Sequence, residues 1–225
     1  MTDRRIALLD ASHQHPATRR NFRRELAVSL DEYDVTAGEL PDSTAYDGVV
    51  VTGSRASVYW DEPWIEATHE YVDAAIEADV PTLGVCWGHQ LIADVLGGSV
   101  VDMGEYEIGY REIVHDGRSP LLAGIDRRFL AYTTHSDEVA ELPPGASVIA
   151  ENDTAIQGFQ SGVAFGVQFH PEYDRATARE VTEAKDELDP DRKARALESI
   201  TPENERRAAQ AKGLFDNFVA MARPR

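Results

Sequence analysis

Residues 80–98, VPTLGVCWGHQLIADVLGG, cross from a short apolar run into a helical pattern at the chain's single cysteine, Cys86. VPTLGVC has the length and apolar content of a buried strand, and HQLIADVLGG reads as a helix ended by Gly97 and Gly98. The same order occurs twice upstream. RIALLD, residues 5–10, is a buried-strand candidate, and a helix is expected over Pro16 to Leu30 with Phe22, Leu26 and Leu30 on one stripe. YDGVVVTGS gives a second strand closed by Gly53. A helix expected over Glu62 to Asp79 follows it, with Ile65, Thr68, Val72, Ala75 and Ile76 on a shared face.

Three strand-helix alternations predict an α/β fold with an open, mostly parallel sheet flanked by helices on both faces, a flavodoxin-like three-layer sandwich. After residue 98 the texture changes to short β-prone runs separated by Gly, Pro, Asn and Asp, expected as hairpins added to the sheet. From Asp174 the chain is charged and helical, broken at Asp189-Pro190 and at Thr201-Pro202, where Thr201 caps and Pro202 takes the first turn. Ala208, Ala211, Phe215, Phe218 and Ala222 form a stripe that should dock the last helix on the core. The mixed charges from Arg175 to Arg207 read most simply as a solvated helical face, with partner docking the weaker reading. With no internal repeat and no long linker, residues 1–225 are expected to form one domain, with 174–225 a helical extension packed on it.

Composition narrows the function classes. The 40 acidic and 22 basic residues give a net charge of −18, which disfavours a nucleic-acid partner. Only three residues are lysine, Lys185, Lys193 and Lys212, an acid-rich pattern that resembles proteins of salt-loving microbes. No apolar stretch is long enough to span a bilayer and MTDRRIALLD lacks a signal-peptide core, so no membrane association and a cytoplasmic location are expected. One cysteine cannot form an internal disulfide, and its thiol suits a reducing compartment. His13 and His15 lie close together, yet no second cluster has ligand spacing, so no metal is expected. No phosphate-cradling G-x-x-x-x-G-K run occurs.

Gly84 and Gly88 frame Cys86 at a strand-to-helix junction, where a sharp turn projects a nucleophile and the helix N-terminus favours a thiolate. Such a thiol needs a base and an orienting partner. GVQFHPE, residues 166–172, offers His170 and Glu172, two apart in an extended segment and so pointing the same way. Taken singly, Cys86 could be a buried core residue and His170-Pro171-Glu172 a strand-end turn; taken together they read as a site.

GVCWGHQ and GVQFHPE together resemble the class I, or triad, glutamine amidotransferases, and among them stand-alone domains similar to the glutaminase part of GMP synthase. The resemblance runs from about residue 45 to about 172. It implies that Cys86 attacks the side-chain amide of L-glutamine, that His170 shuttles protons and that Glu172 orients His170, giving glutamate and ammonia without a cofactor. It also implies an oxyanion hole from the amides of Trp87 and the Gly53-Ser54 turn. Ser54 and Arg55 depart there from the usual second glycine and proline. A substrate pocket of Gly53, Gln90, Ser136 and Asp137 is implied as well. His135 reads as a structural histidine. Glu107 to Tyr110, EIGY, matches a family segment beside the site, although a hairpin edge explains it equally. A synthetase partner receiving the ammonia is expected. The competing readings are a hydrolase of another γ-glutamyl amide or peptide, a catalytically silent regulatory protein of the same fold, and a cysteine-containing stress protein of the same architecture, which the His-x-Glu pair makes remote.

Overall fold

A computed structural model gives the fold of residues 4–222; the outermost positions of the expected 1–225 domain lie outside the described residues. Nine strands form one sheet, four of its pairings parallel and four antiparallel. β1 (Arg5–Asp10), β3 (Gly48–Val51) and β4 (Thr82–Val85) are the three expected strands. Successive residues of a strand face opposite ways. Accordingly Ile6, Leu8 and Val50 enter one core with Phe22 and Leu26 of α1 (Pro16–Leu26), while Ala7, Leu9, Val49 and Val51 enter a second. That second core is shared with Ile65 and Val72 of α2 (Pro63–Glu77) and with Leu91 and Ile92 of α3 (Trp87–Val95). Helices therefore cover both faces, as expected of strands apolar throughout.

The sheet is less parallel than its first half suggests. The pairings from β2 (Ser29–Asp34) through β1, β3 and β4 to β9 (Ala164–Val167) are parallel, whereas those from β9 through β8 (Ile156–Ser161), β7 (Ser147–Glu151) and β5 (Ser99–Val114) to β6 (Arg128–Glu141) are antiparallel. The expected hairpins thus make up half of the one sheet. β9 pairs with β4 from Thr82↔Ala164 to Val85↔Val167, so the carboxyl ends of these strands lie side by side. Cys86 leaves one and Gln168 the other.

The first helix is shorter than its sequence pattern. Ala27 adopts a left-handed conformation (φ 50°, ψ 32°) and its N–H closes on Arg23 O, ending α1 at Leu26. Leu30 falls instead in β2 (Ser29–Asp34), a parallel edge strand paired with β1. Its sequence SLDEYD carries three acids, which suit an exposed edge and obscure the strand signal.

The carboxy-terminal helices α4 (Arg175–Glu183), α5 (Pro190–Ser199) and α6 (Pro202–Ala208) begin at side-chain caps: Asp174 accepts from Thr177 N at 2.8 Å, Asp189 from Arg192 N at 3.0 Å and Thr201 from Asn204 N at 3.1 Å. α7 (Gly213–Met221) returns to the α1 face, where Phe215 meets Phe22 edge to face at 5.9 Å. Between them, Ala178, Leu188, Ala196 and Ile200 close a third apolar cluster with Ile108 and Tyr132 of the β5-β6 hairpin. The charged stretch is thus more than a solvated face.

Among the described residues no helix is long and apolar enough to cross a membrane, and no group of three or more His, Cys, Asp or Glu side chains could hold a metal ion.

Candidate active site

The strand-to-helix junction at Cys86 is tight because both glycines are needed. A methyl group added at Gly84 would stand 2.1 Å from Gly88 O, and one at Gly88 2.4 Å from Val51 O. Only bare backbone lets α3 descend this close onto β3 and β4. Cys86 takes φ 55°, ψ −105°, a strained conformation for a residue with a Cβ. Its N–H donates to Val167 O at 2.8 Å, fastening β4 to β9, and the thiol lies 3.8 Å from Thr134 O.

His170 follows β9 by three residues. Its backbone N–H donates to Tyr132 O at 2.7 Å, and Nδ1 pairs with Glu172 Oε1 at 2.8 Å. The ring stacks on Tyr173 with centroids 4.2 Å apart. Burial opposes the imidazolium, but the charges of Glu172 and Cys86 outweigh it and push the His170 pKa up to about 10. Among the described residues Nε2 has no hydrogen-bond partner, and the Cys86 sulfur, packed on the same face of Gly53, is the neighbour whose charge it senses. The Tyr173 phenol stays protonated, because burial and the same two charges raise its pKa well above the ordinary value. Arg24 Nη2 donates to Glu172 O at 2.7 Å, so α1 braces the carboxylate's backbone.

Gly53 explains itself by contact. A Cβ there would lie 3.1 Å from His170 Cε1 and 3.9 Å from Cys86 Sγ, so the turn after β3 packs directly on both. Neither Gly53 nor Ser54 has a positive φ. Ser54 Oγ accepts from Ala56 N at 3.2 Å, closing the turn as serine commonly does.

Around these residues lies a cavity of about 360 Å³ walled by Cys86, His170, Glu172, Gly53, Ser54 and Arg55. The structure therefore brings together the cysteine, the histidine, the carboxylate and the turn. Gln90, Ser136 and Asp137 are not on its walls. Gln90 spends its amide donors on Asp137 O (2.9 Å) and Gln168 Oε1 (3.0 Å), which ties α3 to β6. Asp137 Oδ1 accepts from Tyr59 at 3.2 Å. Trp87 packs its ring on Trp64 at 5.2 Å, away from the cavity, while its N–H opens α3 directly after the sulfur-bearing residue.

His135 is buried with both ring nitrogens facing oxygens, Nε2 on Glu107 at 2.7 Å and Nδ1 on Asp137 O at 2.9 Å. Glu107 also accepts from Asn152 at 2.7 Å and Gln157 at 3.0 Å, so EIGY contributes a buried, hydrogen-bonded carboxylate rather than a plain hairpin edge. His89 is held neutral, burial lowering its pKa to about 3. It fills the space over Gly166, where a Cβ would stand 2.5 Å from its ring.

Several walls were not foreseen. Consecutive left-handed residues His13 (φ 55°) and Gln14 (φ 60°) turn the loop after β1 so that Ser12 and His15 reach the cavity. Tyr106 arrives from β5, and Val181, Ala184, Lys185 and Glu187 arrive from α4 and the residues after it. Only tertiary packing unites these segments, and nothing in their local sequence marks them.

A crevice at the carboxyl ends of parallel strands, beneath a strained strand-to-helix turn, defines an α/β protein of the kind that places its chemistry outside the sheet. A family model described as "Glutamine amidotransferase class-I" matches residues 8–185, and the chain belongs to that family. It is 32% identical over 157 residues to the GMP synthase [glutamine-hydrolyzing] of Clostridium novyi (strain NT), covering 67% of this chain and 31% of that protein. Over 185 residues it is 32% identical to the GMP synthase [glutamine-hydrolyzing] of Azoarcus sp. (strain BH72), covering 76% and 34%. The chain thus spans about a third of the length of these relatives. Among solved structures, a glutamine amidotransferase from Thermotoga maritima superposes with a TM-score of 0.81 at 25% identity over 97% of this chain and 99% of that one. A glutamine amido transferase from Methylobacillus flagellatus shares the fold, with a TM-score of 0.78 at 21% identity over 98% and 94%.

Proposed function

We propose that this chain hydrolyses the side-chain amide of L-glutamine through a Cys86 thioester and supplies the ammonia to a synthetase partner. The carrying observation is the His170 Nδ1–Glu172 pair at 2.8 Å, with Nε2 unpartnered among the described residues and Cys86 on the same cavity wall. Glu172 stabilises the imidazolium that forms when His170 takes the thiol proton. The thiolate attacks the amide carbon, and the N–H groups of Trp87 and Ser54 receive the oxyanion. His170 returns its proton to the departing nitrogen, which leaves as ammonia. Water then attacks the thioester with His170 as base; the C–S bond breaks, the thiolate regains a proton and glutamate is released. Residues 1–225 act as one domain, with the extension from 174 completing the cavity.

The partner reading is supported by the relatives, GMP synthases of which this chain matches only a third. The test is ammonia and glutamate release from L-glutamine by the wild-type chain beside Cys86→Ala. Hydrolysis that falls roughly ten-thousand-fold in the variant is expected. Equal rates would sink the nucleophile assignment, and a wild type inert even with an added synthetase would favour a silent regulatory protein.

A further inference from the structure

Two of the three lysines have acidic partners: Lys193 meets Asp186 at 3.3 Å and Lys212 meets Glu25 at 2.6 Å. Lys185 makes no ion pair among the described residues, although acids outnumber bases by 40 to 22. It lies instead on the wall of the Cys86 cavity, with Nζ 4.8 Å from the centre of the Tyr106 ring. A cation over an aromatic face is positioned without being neutralised, so its attraction for an anion is retained. Arg55 shares the cavity wall and likewise has no carboxylate partner among the described residues.

The backbone that presents Lys185 is firmly anchored. Its N–H donates to Thr182 O at 3.2 Å, and Thr182 is buried against the Tyr132 hydroxyl. Further along the extension Arg192 Nη1 donates to Tyr106 O at 2.6 Å, a second tie between the extension and the strand that carries the tyrosine. A pre-positioned, unneutralised ammonium in a nucleophile's cavity is an element of ligand recognition.

We propose that Lys185 is a specificity residue of the helical extension, binding a carboxylate of the acyl donor that Cys86 attacks. This rests on the thiol-hydrolase reading above and adds the group that reads the donor's charge, so that γ-glutamyl compounds with a free carboxylate are taken in preference to the corresponding amides. That carboxylate comes either from the α-position of the glutamyl group or from the leaving group of a γ-glutamyl peptide.

Binding to the Cys86→Ala protein, measured by calorimetry, isolates recognition from turnover. The probes are two pairs, L-glutamine with its α-amide and γ-glutamylglycine with its C-terminal amide. Adding Lys185→Met should weaken the acid of one pair about ten-fold, in keeping with loss of a charged hydrogen bond, and leave its amide within about two-fold. The responding pair identifies the source of the carboxylate. Lys185→Arg should recover most of the loss, and equal melting temperatures exclude misfolding. Equal effects on acid and amide in both pairs, no effect, or no binding of any probe overturns the proposal. Failure of the hydrolase reading shows separately, as no Cys86-dependent turnover by the wild type.

Discussion

At the residue scale, Cys86 combines chemical reactivity with backbone strain. Its φ of 55° and ψ of −105° suit glycine better than any residue carrying a Cβ. Glycine normally costs about 0.5–1 kcal/mol through the freedom it gives the unfolded chain. Here Cys86→Gly should melt no lower than Cys86→Ala, since the strain relieved offsets that cost; a clearly lower melting temperature would show the elbow to be unstrained. His170 carries a pH signature. Its folded pKa of about 10 lies above the ordinary 6.5, so its share of stability is complete below pH 6.5 and is lost as pH rises through 10. Glu172→Gln removes a charge that raises that pKa. The variant should start less stable at pH 7 and lose less between pH 7 and 9.5 than the wild type, as read from urea melts. Cys86, His170 and Glu172 could be picked out because GVCWGHQ and GVQFHPE each close an apolar run; what sets those two runs side by side is the pairing of β4 with β9, which neither motif displays. Lys185, Tyr106 and His15 could not be, because distant segments deliver them to the cavity.

At the scale of elements, legibility followed burial. β1, β3 and β4 are apolar on both faces and were readable as runs, and the capped Pro start of α6 was readable from Thr201-Pro202, whereas Asp189-Pro190 was legible only as a break and proves to be the capped start of α5. β2 was missed because an edge strand needs little apolar content, and its Leu30 continued the stripe of α1 by coincidence. The role of α4 was hidden for another reason: its charges describe its outer side, while Ala178 and Thr182 face inward. Asp174 sets this helix in place. Its carboxylate accepts from Thr177 N and reaches Arg24 Nη1 at 3.0 Å, the same arginine that braces Glu172. Burial works against its charge, but the Thr177 hydrogen bonds and the arginines prevail and hold its pKa below the usual 3.8. Its contribution is therefore present above about pH 3.8 and lost as pH falls through the lower folded value. Asp174→Ala should cost about 1 kcal/mol at pH 7, the worth of a helix cap. That difference should shrink toward pH 3; a constant deficit would assign the loss to packing.

At the scale of the whole molecule, the surplus of 18 negative charges decides how the fold responds to salt. Two opposing effects are screened together. Exposed pairs such as Arg128–Glu112 at 2.7 Å are weakened, but each is worth only about 0–1 kcal/mol. Repulsion among the surplus carboxylates is relieved as well, and it acts over the entire surface because 40 acids face only 22 bases. Raising the salt from 0.1 M to 1 M cuts the screening length from about 10 Å to about 3 Å, which removes most repulsion between non-adjacent acids while leaving contacting pairs partly intact. The net effect should be stabilising. Thermal melts in 0.1 M and 1 M KCl should show the melting temperature rising with salt, by about 2–4 °C for each kcal/mol gained. A fall would mean that the arginine-carboxylate pairs outweigh the surplus. Sucrose at matched osmolality gives the comparison for exclusion effects: the rise in KCl should exceed it, because only an electrolyte screens charge.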